Sequence, residues 1–61
     1  MVGVYNVVTL ERNIKHITST VTLVLPRAVS EEEMQMFAFA CFPGWRILVQ
    51  SYAPHAKTNL R

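Results

Sequence analysis

The chain changes its apolar rhythm sharply between Leu25 and Met34, and that change bounds what it can fold into. From Ile17 to Leu25 the residues alternate, with Ile17, Ser19, Val21, Leu23 and Leu25 on one side and Thr18, Thr20, Thr22 and Val24 on the other. A period of two is the pattern of a half-buried strand. A few residues later Ser30 precedes Glu33 by three positions at the head of an apolar run. That is the spacing of a capping box, in which a hydroxyl and a carboxylate satisfy backbone N–H groups at a helix start. Val29 and Met34 fill the two positions of a hydrophobic staple around it, and Glu31, Glu32 and Glu33 fall in the first turn, where the helix dipole favours carboxylates. The acidic run therefore reads as a helix start with a solvated face. Met34, Phe37, Ala38 and Cys41 then recur at i, i+3, i+4 and i+7, one apolar stripe for packing on a sheet. Pro43 disfavours helical geometry at Phe42, so the helix is predicted to end near Cys41.

The flanking segments supply the remaining strands. Val2 to Leu10 is rich in β-branched and aromatic residues without helical periodicity, and Glu11-Arg12-Asn13 is the first polar interruption, predicting a hairpin there. Pro26 closes the second strand. After a Pro43-Gly44 turn, Trp45 to Tyr52 reads as a third strand that Pro54 ends, with Trp45, Ile47 and Val49 facing the helix and Arg46, Leu48, Gln50 and Tyr52 facing away. The order strand, strand, helix, strand predicts an α+β fold: a three-stranded antiparallel sheet with one helix packed on one face, ββαβ. The uniformly apolar first strand belongs in the centre, and the threonine-rich second strand suits an edge. One ββαβ domain is expected over residues 1–54, with residues 55–61 as a flexible C-terminal tail. A chain of 61 residues gains only marginal stability from its core, which makes a homodimer one way to add to it.

Composition narrows the functional classes. With 51% hydrophobic and 16% charged residues, the chain is expected to fold rather than remain disordered. Its formal charge of +2 permits contact with nucleic acid or an acidic protein and demands neither. Cys41 is the single cysteine, so an internal disulfide and a cysteine-rich metal site are excluded and a reducing setting fits. No secretory pattern is evident near Met1, and the longest mainly apolar stretch, Met34 to Pro43, is far below the roughly 20 residues that span a bilayer. A soluble, cytoplasmic protein without membrane contact is expected.

A sheet with one helix leaves its other face open. Within the first strand, Val2, Val4, Val8 and Leu10 compete with Tyr5 and Val7 for the buried side, and Asn6 is discordant in a way that a bulge would accommodate. The better-patterned choice places Tyr5, Val7, Val24, Leu48 and Tyr52 in an open apolar patch beside Arg46, and such a patch marks an interface. Pairing through an edge strand is a second route to a partner.

Catalysis finds no constellation. His16 and His55 lack a sequence-local carboxylate or thiol, Cys41 is expected to be a small buried hydrophobe, and Gly3 and Gly44 are isolated rather than part of a phosphate loop. Neither a cofactor nor a metal site is expected, and the reading is non-enzymatic. The alternative is a small basic nucleic-acid-binding homodimer. Arg12, Lys15, Lys57 and Arg61, with His16, Arg27 and Arg46, would contact phosphates, and Tyr5 or Tyr52 would stack on unpaired bases.

Ser30-Glu31-Glu32-Glu33, the short helix, Pro43-Gly44-Trp45 and a closing strand together resemble the layout of small phage early proteins that bind and inhibit bacterial RNA polymerase. The similarity covers roughly the second half of the chain and the preceding hairpin. That family places arginines late in the last strand, where this chain has Val49, Gln50 and Ser51, so no site residues carry over. What the resemblance implies is a compact host-takeover protein, of phage or mobile-element origin, that docks on a bacterial host protein and blocks it.

Overall fold

The computed structural model describes residues 3–58, which form β1 (Val4–Ile14), β2 (Ile17–Ser30), α1 (Glu31–Cys41) and β3 (Arg46–Ser51). The strands make one antiparallel sheet in the order β2-β1-β3, with α1 on one face. This is the expected α+β arrangement with ββαβ order.

The helix start forms as its spacing requires. Ser30 Oγ accepts from the Glu33 backbone N–H at 3.1 Å, and Glu33 Oε1 accepts from the Ser30 backbone N–H at 3.1 Å. Both staple residues, Val29 and Met34, are buried in the core with Val8, Leu10, Leu23, Leu25 and Ala38. Val8, Leu10 and Met34 are the largest fully buried side chains, each worth roughly 1.5–3 kcal/mol of transfer free energy. The helix closes where Phe42 N–H donates to Ala38 O at 2.9 Å and Trp45 N–H to Phe42 O at 3.1 Å. Pro43 and Gly44 occupy the centre of that last turn, and Gly44 has φ 91°, the left-handed conformation that a type II turn needs at its third position. From there Phe37, Phe42 and Trp45 stack in tilted and edge-on pairs, and the Arg12 guanidinium lies 4.8 Å above the Trp45 ring, tying the helix end to β1.

Two boundaries and one burial differ from expectation. The hairpin turns at Lys15-His16 rather than at residues 11–13, because Ile14 and Ile17 pair directly and both turn residues take positive φ, 52° and 68°, as a two-residue hairpin loop twisted to match its strands requires. Asn13 stays in the strand and donates from Nδ2 to Thr18 Oγ1 at 2.9 Å. The second strand also runs past Pro26 to Ser30. Between the pairs Tyr5–Val29 and Val7–Val24 it bulges, so that Asn6 alone faces Leu25 to Ala28. A bulge on an edge strand is a place where proline is tolerated. Last, Cys41, the final residue of α1, is exposed rather than buried, and the buried residues of the helix are Met34 and Ala38.

Candidate functional site

Pairing register defines the face that α1 leaves open. Three cross-strand rows share it, reading from β2 through β1 to β3: Val24, Val7 and Ser51; then Thr22, Thr9 and Val49; then Thr20, Glu11 and Arg46. The Thr9 and Thr22 hydroxyls bond at 2.9 Å across the middle row, and Arg46 forms an ion pair with Glu11 across the last. The surface is thus apolar at one end, hydroxylic in the middle and charged but internally paired at the other.

The third strand reaches this arrangement through a bulge that alternation alone does not show. β3 pairs Val49 with Thr9 but Ile47 with Leu10, which leaves Leu48 as the extra residue. Ile47 therefore packs on the core while Val49, 56% exposed, turns to the open face, and Gln50 pairs with Val8 on the helix side. Val49 and Gln50 thereby exchange the faces expected of them. Tyr5 is a second correction: it pairs with Val29 and packs against the core instead of joining the open patch. Of the expected patch the structure brings together Val7 and Val24 in one row and Arg46 two rows away, with Leu48 exposed at the bulge and Tyr52 exposed just past the end of β3.

The candidate phosphate contacts are dispersed. Arg12 is engaged over Trp45, Lys15 and His16 form the hairpin turn, Arg27 reaches Glu33 at 3.9 Å, Arg46 is paired with Glu11, and Lys57 lies in the exposed segment after β3. Arg61 and Val2 lie outside the described residues. His16, His55 and Cys41 are all exposed, on the hairpin turn, the segment after β3 and the helix end respectively. That segment returns across the sheet: Thr58 Oγ1 donates to Val24 O at 2.8 Å, on the opposite edge strand.

A second surface was not foreseen. The outer side of α1 is polar in its first half, at Glu31, Glu32 and Gln35, and apolar in its second, with Met36 66% and Phe39 80% exposed and Ala40 beside them. Next to it, the bulge of β2 and the helix enclose a groove of about 440 Å³ lined by Leu25, Pro26, Val29, Met36 and Phe37, with Arg27 and Glu33 at its rim. The signal was in the sequence: between Met34 and Cys41 only Gln35 is polar, so the polar stripe of the exposed side does not continue past it. Among the described residues no helix is long and apolar enough to cross a membrane. No family model, curated protein or solved structure matches the chain significantly.

Proposed function

We propose that this chain is a non-enzymatic protein-binding module that docks its open sheet face on a larger protein. The observation that carries the reading is the exposure of Leu48 and Val49 on β3, beside the half-buried Val7 and Val24, on the face that α1 does not cover. Apolar side chains next to one paired charge fit the centre and rim of a protein interface. The Arg46–Glu11 pair neutralises itself, so it sets orientation more than affinity. The resemblance in element order to phage early proteins that inhibit bacterial RNA polymerase supports a host-takeover role, with a bacterial machine of that kind as the target and the cytoplasm as the setting.

The test is binding of the whole chain to purified bacterial RNA polymerase by biolayer interferometry, with and without nuclease. Nuclease-insensitive binding that Leu48→Asp or Val49→Asp weakens by roughly tenfold or more, about 1.4 kcal/mol, is expected. Absence of binding rejects that target, and binding that both substitutions leave unchanged rejects the face. Binding that nuclease abolishes, or affinity for nucleic acid that falls steeply with salt, returns the basic residues to first place.

A further inference from the structure

We infer that the segment after β3 is a latched strap over the apolar end of the open sheet face, and that it gates docking there. The inference rests on the reading of that face as the docking surface. The route of the strap follows from one proline. Ala53 O accepts from Ala56 N–H at 3.2 Å, which closes a four-residue turn with Pro54 in its second position, where the fixed φ of proline suits a reversal. Pro54 has no N–H with which to continue β3, and the chain turns back over the sheet instead. Its return reaches β2, beyond the central strand, where Thr58 Oγ1 donates to Val24 O at 2.8 Å.

The two anchors differ in strength. At Ala53 the Asn6 amide makes a bond in each direction, and both are partly buried. The Thr58 bond is exposed, where water replaces a hydrogen bond at little cost. One end of the strap is therefore a hinge and the other a latch.

Exposure along β2 tells what the latch shields. This edge strand presents Thr20, Thr22 and Val24 to the open face, none of them under α1. Thr20 and Thr22 are exposed, whereas Val24, where Thr58 arrives, is half-buried. An edge position with no helix over it should be as open as its neighbours, so the strap is what shields Val24. Val24 shares its row with Val7 and Ser51, which makes the shielded end the apolar end of the docking face. A partner that takes this end has to displace the strap. Its apparent affinity is then reduced by the fraction of chains in which the latch is open. For an exposed hydrogen bond that factor is roughly 3- to 10-fold.

Thiol labelling of the full chain tests the strap without a partner. In a Cys41→Ser background, Val24→Cys keeps the backbone carbonyl that Thr58 bonds and puts a reporter under the strap, and Val49→Cys puts one on an exposed part of the same face. Thr58→Val keeps the β-branched shape and removes the hydroxyl donor, and it is expected to speed labelling at position 24 by roughly 3- to 10-fold while leaving position 49 unchanged. An unchanged rate at position 24 overturns the strap. Equal acceleration at both positions overturns it too, because that reports a loosened sheet. The gate is then read with RNA polymerase, which should bind Thr58→Val more tightly than the unmodified chain by the same factor. Equal affinity overturns the gate. Binding by neither chain rejects the docking reading at that target, and the labelling rates still decide the strap.

Discussion

The side-chain amide of Asn6 pairs with the backbone of Ala53 in both directions: Nδ2 donates to Ala53 O at 2.8 Å and Oδ1 accepts from Ala53 N–H at 2.7 Å. The buried amide imitates a peptide group, extending the link between β1 and the chain beyond the last β1–β3 ladder pair. Its position explains the need. Asn6 sits opposite the β2 bulge, where β1 loses its regular partner on the other side. Asn6→Ala removes two partly buried hydrogen bonds and strands the Ala53 backbone groups, a loss of about 1–3 kcal/mol in urea denaturation. A loss below 0.5 kcal/mol would show that the pairing contributes nothing.

Gly44 holds φ 91° with open space where a Cβ would stand. A substitution there meets strain and no collision, so Gly44→Ala should cost about 1–2 kcal/mol, the price of a left-handed conformation for an L-residue. Gly3 also has free space around its Cβ position but no such φ, and Gly3→Ala is the matched control, expected to be neutral or slightly stabilising.

The hairpin turn is the reverse case. Lys15 and His16 hold φ of 52° and 68° although neither is Gly, Asn or Asp, the residues that dominate two-residue hairpin loops. His16→Gly should therefore raise stability by about 0.5–1 kcal/mol, and Lys15→Asn should act in the same direction. A fall in melting temperature for both would mean that their side chains hold the turn by contacts that outweigh the strain.

Gln50 carries a buried Oε1 with no hydrogen-bond partner. Leaving an acceptor orphaned costs about 1–3 kcal/mol, so Gln50→Leu, which keeps the volume and removes the acceptor, should raise the urea midpoint without changing the slope. A lowered midpoint would show that the amide is satisfied.

What could be read in advance followed from local rules. The capping box, the Pro43-Gly44 turn and the alternation of Ile17 to Leu25 each depend on a few neighbouring residues, and each appears in the structure as expected. What could not be read came from pairing between distant strands. A bulge adds one residue to one strand and reverses every face after it, and nothing near Leu48 announces it, because Ile47, Leu48 and Val49 are all apolar and suit either side. Tyr5 was misplaced for the same reason, at the far bulge beside Asn6, where the discordant polar residue gave at least a warning. Lys15-His16 lacks the Asn-Gly chemistry that marks a two-residue turn, so the polar cluster before it drew the turn three residues early.

The β3 bulge yields the last prediction, because alternation and the observed register disagree about one pair of residues. Simple alternation puts Ile47 and Val49 on the same buried side, where polar substitution should cost both equally. The register separates them: Ile47 opposes Leu10 over the core, and Val49 opposes Thr9 on the open face. Threonine keeps the β-branched shape, and so the strand preference, while putting a hydroxyl in place of a methyl group. Ile47→Thr should then cost about 1.5–3 kcal/mol, since it removes apolar contact with the core and buries a hydroxyl there. Val49→Thr should change stability by less than about 0.5 kcal/mol, as an exposed position does. It would place a third hydroxyl in the row of Thr9 and Thr22. Equal costs at the two positions would remove the bulge and, with it, Val49 from the docking face.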